Sequence, residues 1–365
     1  MQTPGRVAIL WENFGPSHWD RLEAAARAGF SVTAIQLAER SGTYDWEPGA
    51  PEGVEVVSLA SGMGDLGPVA MARAIVRAVR RSGAQAAFFC HYEMPGVFLA
   101  ATMLSMRGMP VFTMIDSKFD DYDRNWKRES AKAQMLRPYR GALAGSRRTG
   151  EYLRFLGVRK IAAGYDTLSI ARLRRQGSPA SSVAFADRPF VVVARLVPKK
   201  DIALALDAMA VFVARHGPGR RLLIAGDGPL RASLEEQARA LGLAEQVEFR
   251  GLLETAAVTD LMHGGLALLM PSTEEQFGLV AIEALACGLP VIASSNCGAV
   301  DEVIDNLING VVIAPRSVEQ LVAAMEYVAS DEDRHAAMAA AAHDSAMRGD
   351  VCHFVNGMRS LLADS

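Results

Sequence analysis

Pro271–Ala293 reads PSTEEQFGLVAIEALACGLPVIA, and its reading decides the fold. Leu266–Met270, just before it, is a short apolar run that predicts a buried strand. Pro271–Gln276 is the loop at the carboxyl end of that strand. A helix is expected to begin near Phe277-Gly278 and to stop at Gly288 and Pro290. Val291–Ala293 is then the next strand. Strand, loop, helix and strand in this order are the repeating unit of a parallel sheet covered on both faces. Gly278 lets a ligand approach the backbone where free N–H groups and the positive end of the helix dipole favour a phosphate. Glu275 lies in the loop and Glu283 inside the helix. Glu283 stands about 7 Å along the axis from Gly278, at 1.5 Å per residue. That is roughly the reach from a diphosphate to its ribose, and a carboxylate there accepts hydrogen bonds from both ribose hydroxyls.

The same rhythm runs outward in both directions. Val7–Leu10, Val32–Ile35, Val54–Val57, Ala87–Cys90 and Val111–Ile115 read as short buried strands, separated by helical stretches such as His18–Arg27, Val69–Arg81 and Pro95–Arg107. Gln176–Pro189, QGSPASSVAFADRP, breaks the rhythm and reads as a linker. Phe190–Ala194 restarts it. A helix follows from Ile202 to His216, capped by Asp201 and stopped by Gly217-Pro218. Leu222–Ala225 and Val247–Phe249 are further strands. The expected division is a first Rossmann-like domain over 1–175, a linker over 176–189, a second such domain over 190–345, and a C-terminal helix within 346–365 that packs back on the first. In open sheets of this kind ligands bind outside the carboxyl ends of the strands, so the expected site is a cleft between the two domains.

Composition narrows the function classes. The chain has 365 residues, half of them apolar, which suits two folded domains. A net charge of −3 excludes a general nucleic-acid binder. Cys90, Cys287, Cys297 and Cys352 form no CxxC pair, so neither a zinc knuckle nor a disulfide framework is expected. No apolar run is long enough for a transmembrane helix. The apolar run in MQTPGRVAILWEN is too short for a signal peptide, so a cytoplasmic protein is expected. From Arg124 to Arg175, fourteen Lys and Arg residues face three acidic ones. Arg124, Lys127, Arg128 and Lys132 share a helical stretch with Trp126. A basic segment of this kind suits peripheral contact with the inner face of a membrane.

The Pro271–Ala293 stretch resembles the donor-site signature of the retaining glycosyltransferases of family four, which have the GT-B fold. The paired glutamates, the intervening Phe277-Gly278 and the Glu-Ala-Leu-Ala-Cys-Gly-Leu-Pro-Val-Ile that follows carry the resemblance. It continues into Gly298-Ala-Val-Asp-Glu302-Val-Ile and Asn309-Gly310. The resemblance implies an α/β protein of two doubly wound domains. It further implies that Phe277, Gly278, Leu279, Val280 and Glu283 hold the nucleotide part of a donor, with Glu275 on its sugar side. In VARLVPKKD, Arg195 and Lys200 match the basic pair these enzymes use on the donor diphosphate; Ala194 and Asp201 stand where glycines are common. Two cations there offset the charge that builds on the leaving nucleotide. Gly226 and Gly228 of IAGDGP match a loop near the base and diphosphate. Gly15 matches a glycine beneath the donor phosphates, with His18 and Arg21 as further contacts. His91 matches a strand-end histidine. A second family histidine is replaced by Ile115, which turns attention to Asp116, Lys118 and His91. Asp166, in Gly-Tyr-Asp, is a further site candidate.

The resemblance implies transfer of a sugar, with retention, from a nucleoside diphosphate sugar (a UDP or GDP sugar) to a hydroxyl of a sugar, lipid-linked or small-molecule acceptor. Cell-surface polysaccharide or glycolipid synthesis is the expected setting. No metal and no other cofactor is expected. A metal-dependent enzyme needs a carboxylate pair, and Asp120-Asp121-Tyr122-Asp123 has that composition. Two alternatives share the fold: a nucleotide-sugar 2-epimerase and a non-catalytic nucleotide-sugar sensor.

Overall fold

The computed structural model describes residues 5–39, 51–176 and 183–363. They fall into two compact units, Met1–Ser169 with Asp350–Ser365, and Ile170–Gly349. The first unit runs β1 (Arg6–Trp11), α1 (Pro16–Arg27), β2 (Ser31–Gln36), β3 (Val54–Ser58), α2 (Pro68–Arg81), β4 (Ala86–Phe89), α3 (Pro95–Ser105), β5 (Val111–Ile115), α4 (Trp126–Met135), β6 (Gly141–Ala144), α5 (Arg147–Phe155) and β7 (Ile161–Ala163). Among the described residues its strands form one seven-stranded sheet, in the order β3-β2-β1-β4-β5-β6-β7, with every pair parallel. β1, β4, β5 and β6 are buried almost throughout, because helices cover both faces. Phe88 and Phe112 stack across β4 and β5 with centroids 5.0 Å apart.

The second unit runs α6 (Ile170–Gln176), β8 (Phe190–Val193), α7 (Ile202–His216), β9 (Leu222–Ala225), α8 (Arg231–Ala240), β10 (Val247–Gly251), α9 (Thr255–Gly264), β11 (Ala267–Met270), α10 (Leu279–Ala286), β12 (Val291–Ser294), β13 (Gly310–Ile313), α11 (Val318–Ala329) and α12 (Glu332–Ser345). Its sheet has the order β10-β9-β8-β11-β12-β13, again parallel. Phe190, Met209, Phe212, Leu222 and Met325 lie in its core. The last helix, α13 (Cys352–Ala363), belongs to the first unit, where it packs on β6, β7 and α1.

Two expectations change. The units divide at Ser169–Ile170 rather than at 175, because Ile170 and Leu173 of α6 bury their side chains in the second unit, against α9 and α10. Of the expected linker, residues 177–182 lie outside the described residues, as do 1–4 of the N-terminal stretch; Phe185–Asp187 forms a short 3-10 turn. Asp201 stands at the N-cap of α7 but makes no side-chain cap bond. Its backbone is left-handed, with φ 47°. That is a conformation in which glycine is unstrained and aspartate is tolerated, so Asp201 fills a glycine's place in the turn.

Candidate functional site

In each sheet the strand order reverses about one pair of central strands, β1/β4 in the first unit and β8/β11 in the second. The carboxyl ends of such a pair splay their loops apart and leave room for a ligand. In the second unit this point gathers most of the residues singled out in the sequence. Arg195 and Lys200 follow β8, and Glu275 follows β11. Lys200 Nζ donates directly to Glu275 Oε2, a half-buried cation on a buried carboxylate. Ser272 Oγ donates to the same oxygen at 3.4 Å. The two loops are also stitched by backbone: Thr273 N–H donates to the Lys199 carbonyl at 2.9 Å. Asn296 Nδ2 holds the Thr273 carbonyl at 2.8 Å. Ser272, Thr273 and Asn296 were not singled out in the sequence; the partners of Thr273 and Asn296 are distant in the chain, whereas Ser272 lies three residues from Glu275. Arg195 is exposed beside this cluster.

Gly278 is the N-cap of α10, with φ 96°. A Cβ there would lie 2.7 Å from Met270 Cε and 3.2 Å from Glu275 Cγ. The glycine therefore lets the helix start directly against the Glu275 side chain. The first-turn N–H groups of Leu279 and Val280 have no acceptor within the helix, as at any helix start. Phe277 is buried and its carbonyl accepts from Ala299 N–H at 2.9 Å, which anchors the loop from behind. Glu283 sits half-buried further along α10.

Gly226 and Gly228 have a reason that involves no ligand. A Cβ on Gly226 would stand 1.9 Å from the Ala194 carbonyl oxygen, and one on Gly228 2.6 Å from that of Leu196. Leu196 N–H in turn donates to the Asp227 carbonyl at 2.9 Å. The glycine loop thus lies flat on the loop that carries Arg195, and positions it. Gly226→Ala is expected to destabilise the second unit by about 2–3 kcal/mol, from backbone overlap at a φ of 130°. Its melting temperature should fall by about 5–10 °C; a calorimetric scan unchanged from wild type would refute the close approach. Asn309 also has a structural task. It is wholly buried, donates to the Val303 carbonyl at 2.8 Å, and accepts from Asp305 N–H at 2.7 Å.

The β1/β4 point of the first unit holds a second cluster. Gly15 N–H donates to His18 Nδ1 at 2.9 Å, in the first turn of α1. The proton of neutral His18 is therefore on Nε2. Burial and the nearby Arg21 cation keep His18 neutral, well below the usual histidine range. Arg21, a candidate for acceptor or phosphate contacts, is only 2% exposed and donates to the Ser17 and Tyr165 carbonyls, both at 2.9 Å. Tyr165 ties the strand ends together, accepting from Trp11 Nε1 at 3.0 Å and meeting Cys90 Sγ at 3.1 Å. His91 ends β4 with φ 59° and faces Glu93 at 3.8 Å. Ile115 packs into the apolar core, and Asp116 follows at the strand end. Burial and the Asp121 charge raise the Asp116 carboxyl above its usual range, with His91 and Arg21 pulling it back. Asp166 is buried beside Gly145, and half-buried Asp116 also lies against that glycine.

Several expected site residues are engaged elsewhere. Lys118 is 1% exposed and its Nζ is bonded to Asp121, so it is a structural cation. Asp120 pairs with Arg148 at 2.6 Å. The Asp120-Asp121-Tyr-Asp123 run therefore spends two of its carboxylates on internal cations. Among the described residues no three His, Cys, Asp or Glu side chains are placed to hold a metal ion. The basic stretch also divides. Arg124 and Lys132 turn inward onto Glu129 and the Tyr152 hydroxyl. Only Trp126, Lys127 and Arg128 of that group remain exposed. No described helix is long and apolar enough to cross a membrane.

This architecture is that of the GT-B fold. A crystal structure of Anabaena Alr3699/HepE in complex with UDP superposes with a TM-score of 0.78, at 17% identity, over 99% of this chain and 100% of that one. Sucrose-phosphate synthase from Thermosynechococcus elongatus gives 0.72 at 18% identity, over the same shares. Residues 180–345, nearly all of the second unit, match the family described as glycosyl transferases group 1. Glycogen synthase of Mycobacterium tuberculosis is 38% identical over 139 residues, which are 38% of this chain and 33% of that enzyme. D-inositol 3-phosphate glycosyltransferase of Thermobispora bispora is 32% identical over 186 residues, 49% of this chain and 42% of that one. The chain thus spans less than half the length of these relatives.

Proposed function

We propose that the protein is a retaining glycosyltransferase that takes a nucleoside diphosphate sugar, a UDP sugar before a GDP sugar, as donor. The observation that carries this reading is the cluster at the β8/β11 switch point: Lys200 on Glu275, beside the Gly278 start of α10, with Arg195 at its edge. A diphosphate over the α10 N-terminus meets free N–H groups of Phe277, Gly278, Leu279 and Val280 and two cations. Glu283 takes the ribose hydroxyls, and Glu275 faces the sugar. The UDP complex of the Anabaena neighbour and the group 1 match over residues 180–345 support the donor class.

As the glycosidic bond breaks, negative charge grows on the diphosphate, and Arg195 and Lys200 stabilise it. The acceptor hydroxyl attacks on the face the diphosphate leaves, and its proton passes to the departing phosphate oxygen. No metal and no separate base is needed. Gly15 is assigned to the donor phosphates, and His18, His91 and Asp116 to the acceptor and to the transferred sugar. The acceptor is a sugar, a lipid-linked sugar or a small molecule, in cell-surface polysaccharide or glycolipid synthesis on the cytoplasmic side.

A thermal-shift panel of UDP, GDP and ADP tests the donor class. A ligand at a hundredfold excess over its dissociation constant stabilises by about 2.7 kcal/mol. UDP is expected to give the largest shift. Glu283→Gln should weaken that binding by about 1.5–3 kcal/mol with the fold intact. No shift with any nucleotide, or an unchanged affinity in Glu283→Gln by calorimetry, would remove the reading or the ribose role respectively. Activity that persists in EDTA supports the metal-free step; its loss would call for a metal.

A further inference from the structure

The first unit carries a second charged feature, away from its strand-end cluster. Arg73, Arg77, Arg80 and Arg81 of α2 and Arg107 just after α3 line one hollow of about 510 Å³. All five are exposed. Among the described residues the one hydrogen bond their side chains make is from Arg107 to the Met103 carbonyl, at 2.7 Å. None has a carboxylate partner among the described residues. On three other helices an arginine pairs with a carboxylate one turn away, Arg27 with Glu23, Arg147 with Glu151 and Arg231 with Glu235, whereas Arg128 and Arg154 make no such pair among the described residues. On α2 the neighbours one turn apart, Arg73 with Arg77 and Arg77 with Arg81, are like charges, which disfavour a helix. The helix dipole accounts for Arg80 and Arg81 in the last turn of α2, but not for Arg73 or Arg77. An adjoining hollow shares Arg77 and Arg81 and holds the carboxylate of Glu55, which is occupied by Thr33 Oγ1 at 3.0 Å.

We infer that this hollow is a binding site for a ligand that carries clustered phosphate groups, separate from the donor site. The size fits a small polyanion. The choice of arginine at all five positions, with no lysine, matches phosphate geometry, since each guanidinium offers a planar fork of two donors to two oxygens. Val76 and Met103 complete the lining and suit the apolar edge of such a ligand. A helix runs antiparallel to the strands it joins in a parallel sheet, so the last turn of α2 lies toward the amino ends of the strands. The donor site and the first-unit strand-end cluster lie at carboxyl ends. The hollow is thus distinct from the strand-end cluster of its own unit.

Tripolyphosphate is the probe for a soluble source, and phosphatidylglycerol vesicles, against phosphatidylcholine vesicles, for a headgroup source. Titration calorimetry of the full chain should give saturable binding of tripolyphosphate that weakens with salt. Alternatively, flotation should show binding to the anionic vesicles only. In either case Arg73→Gln/Arg77→Gln/Arg81→Gln should lose at least tenfold in affinity, while its melting temperature stays level or rises as like charges are removed. The corresponding triple Arg→Lys variant keeps the charge and loses the fork, and should fall between the two. Binding of tripolyphosphate assigns a soluble ligand, and binding of anionic vesicles alone assigns a lipid headgroup. No saturable binding of either probe, or equal binding by wild type and the glutamine variant, overturns the site.

Discussion

Lys200→Ala is expected to lower turnover by about 10²–10³-fold, with a much smaller change in the Michaelis constant. The cation acts where charge develops, so its effect is larger in the transition state than on the bound donor. The geometry adds a complication that can be tested. Lys200 is also a partner of buried Glu275, and its removal takes away a charged donor from that carboxylate, which Ser272 Oγ also contacts at 3.4 Å. Part of the loss could then come from a displaced Glu275. Lys200→Ala, Glu275→Gln and the double variant close a cycle. If the two act as one unit, the double variant is no slower than the worse single one. Arg195→Ala should change turnover in the same direction without disturbing Glu275. Normal turnover with a raised Michaelis constant in Lys200→Ala would reduce the lysine to a binding contact.

The alternation of strands and helices was legible because parallel sheets bury both faces, so their strands read as short apolar runs. It failed where a strand has little β-propensity of its own. Gly141–Ala144 and Ile161–Ala163 are strands because the neighbouring edge of the sheet accepts them, not because Gly-Ala-Leu-Ala favours extension. The donor-site residues were legible as a sequence motif, since Glu275, Gly278 and Glu283 lie within one loop and one helix. The use of charges was not. Lys200 with Glu275, Arg148 with Asp120, and Arg124 and Lys132 with Glu129 are pairings made by tertiary geometry. A count of charges over Arg124–Arg175 overstates the exposed positive charge of that stretch for this reason. Its cations are partly consumed indoors, whereas the five arginines of the α2/α3 hollow, fewer and more scattered in sequence, pair with no carboxylate among the described residues. Gly226 and Gly228 show the converse: residues that look like ligand contacts also have a backbone against them.

Asp121→Ala should cost the first unit about 3–5 kcal/mol, the range for a buried ion pair that loses one member. Both side chains are almost fully buried, at 1% for Lys118 and 0% for Asp121. Asp121 also accepts from the Lys118 backbone N–H at 2.7 Å, so the carboxylate fixes the turn after β5 as well as the ammonium. A melting temperature lower by about 10 °C is the expected reading for a unit of this size. The double variant Lys118→Met/Asp121→Leu separates structure from chemistry. Apolar side chains of similar volume remove both charges together, so much of the lost stability should return. If Lys118 acts only as a structural cation, turnover returns with it. Restored stability without restored turnover would put Lys118 in the reaction after all, beside Asp116 at the end of the same strand. A single Asp121→Ala variant that melts with wild type would show that the pair contributes nothing to the fold.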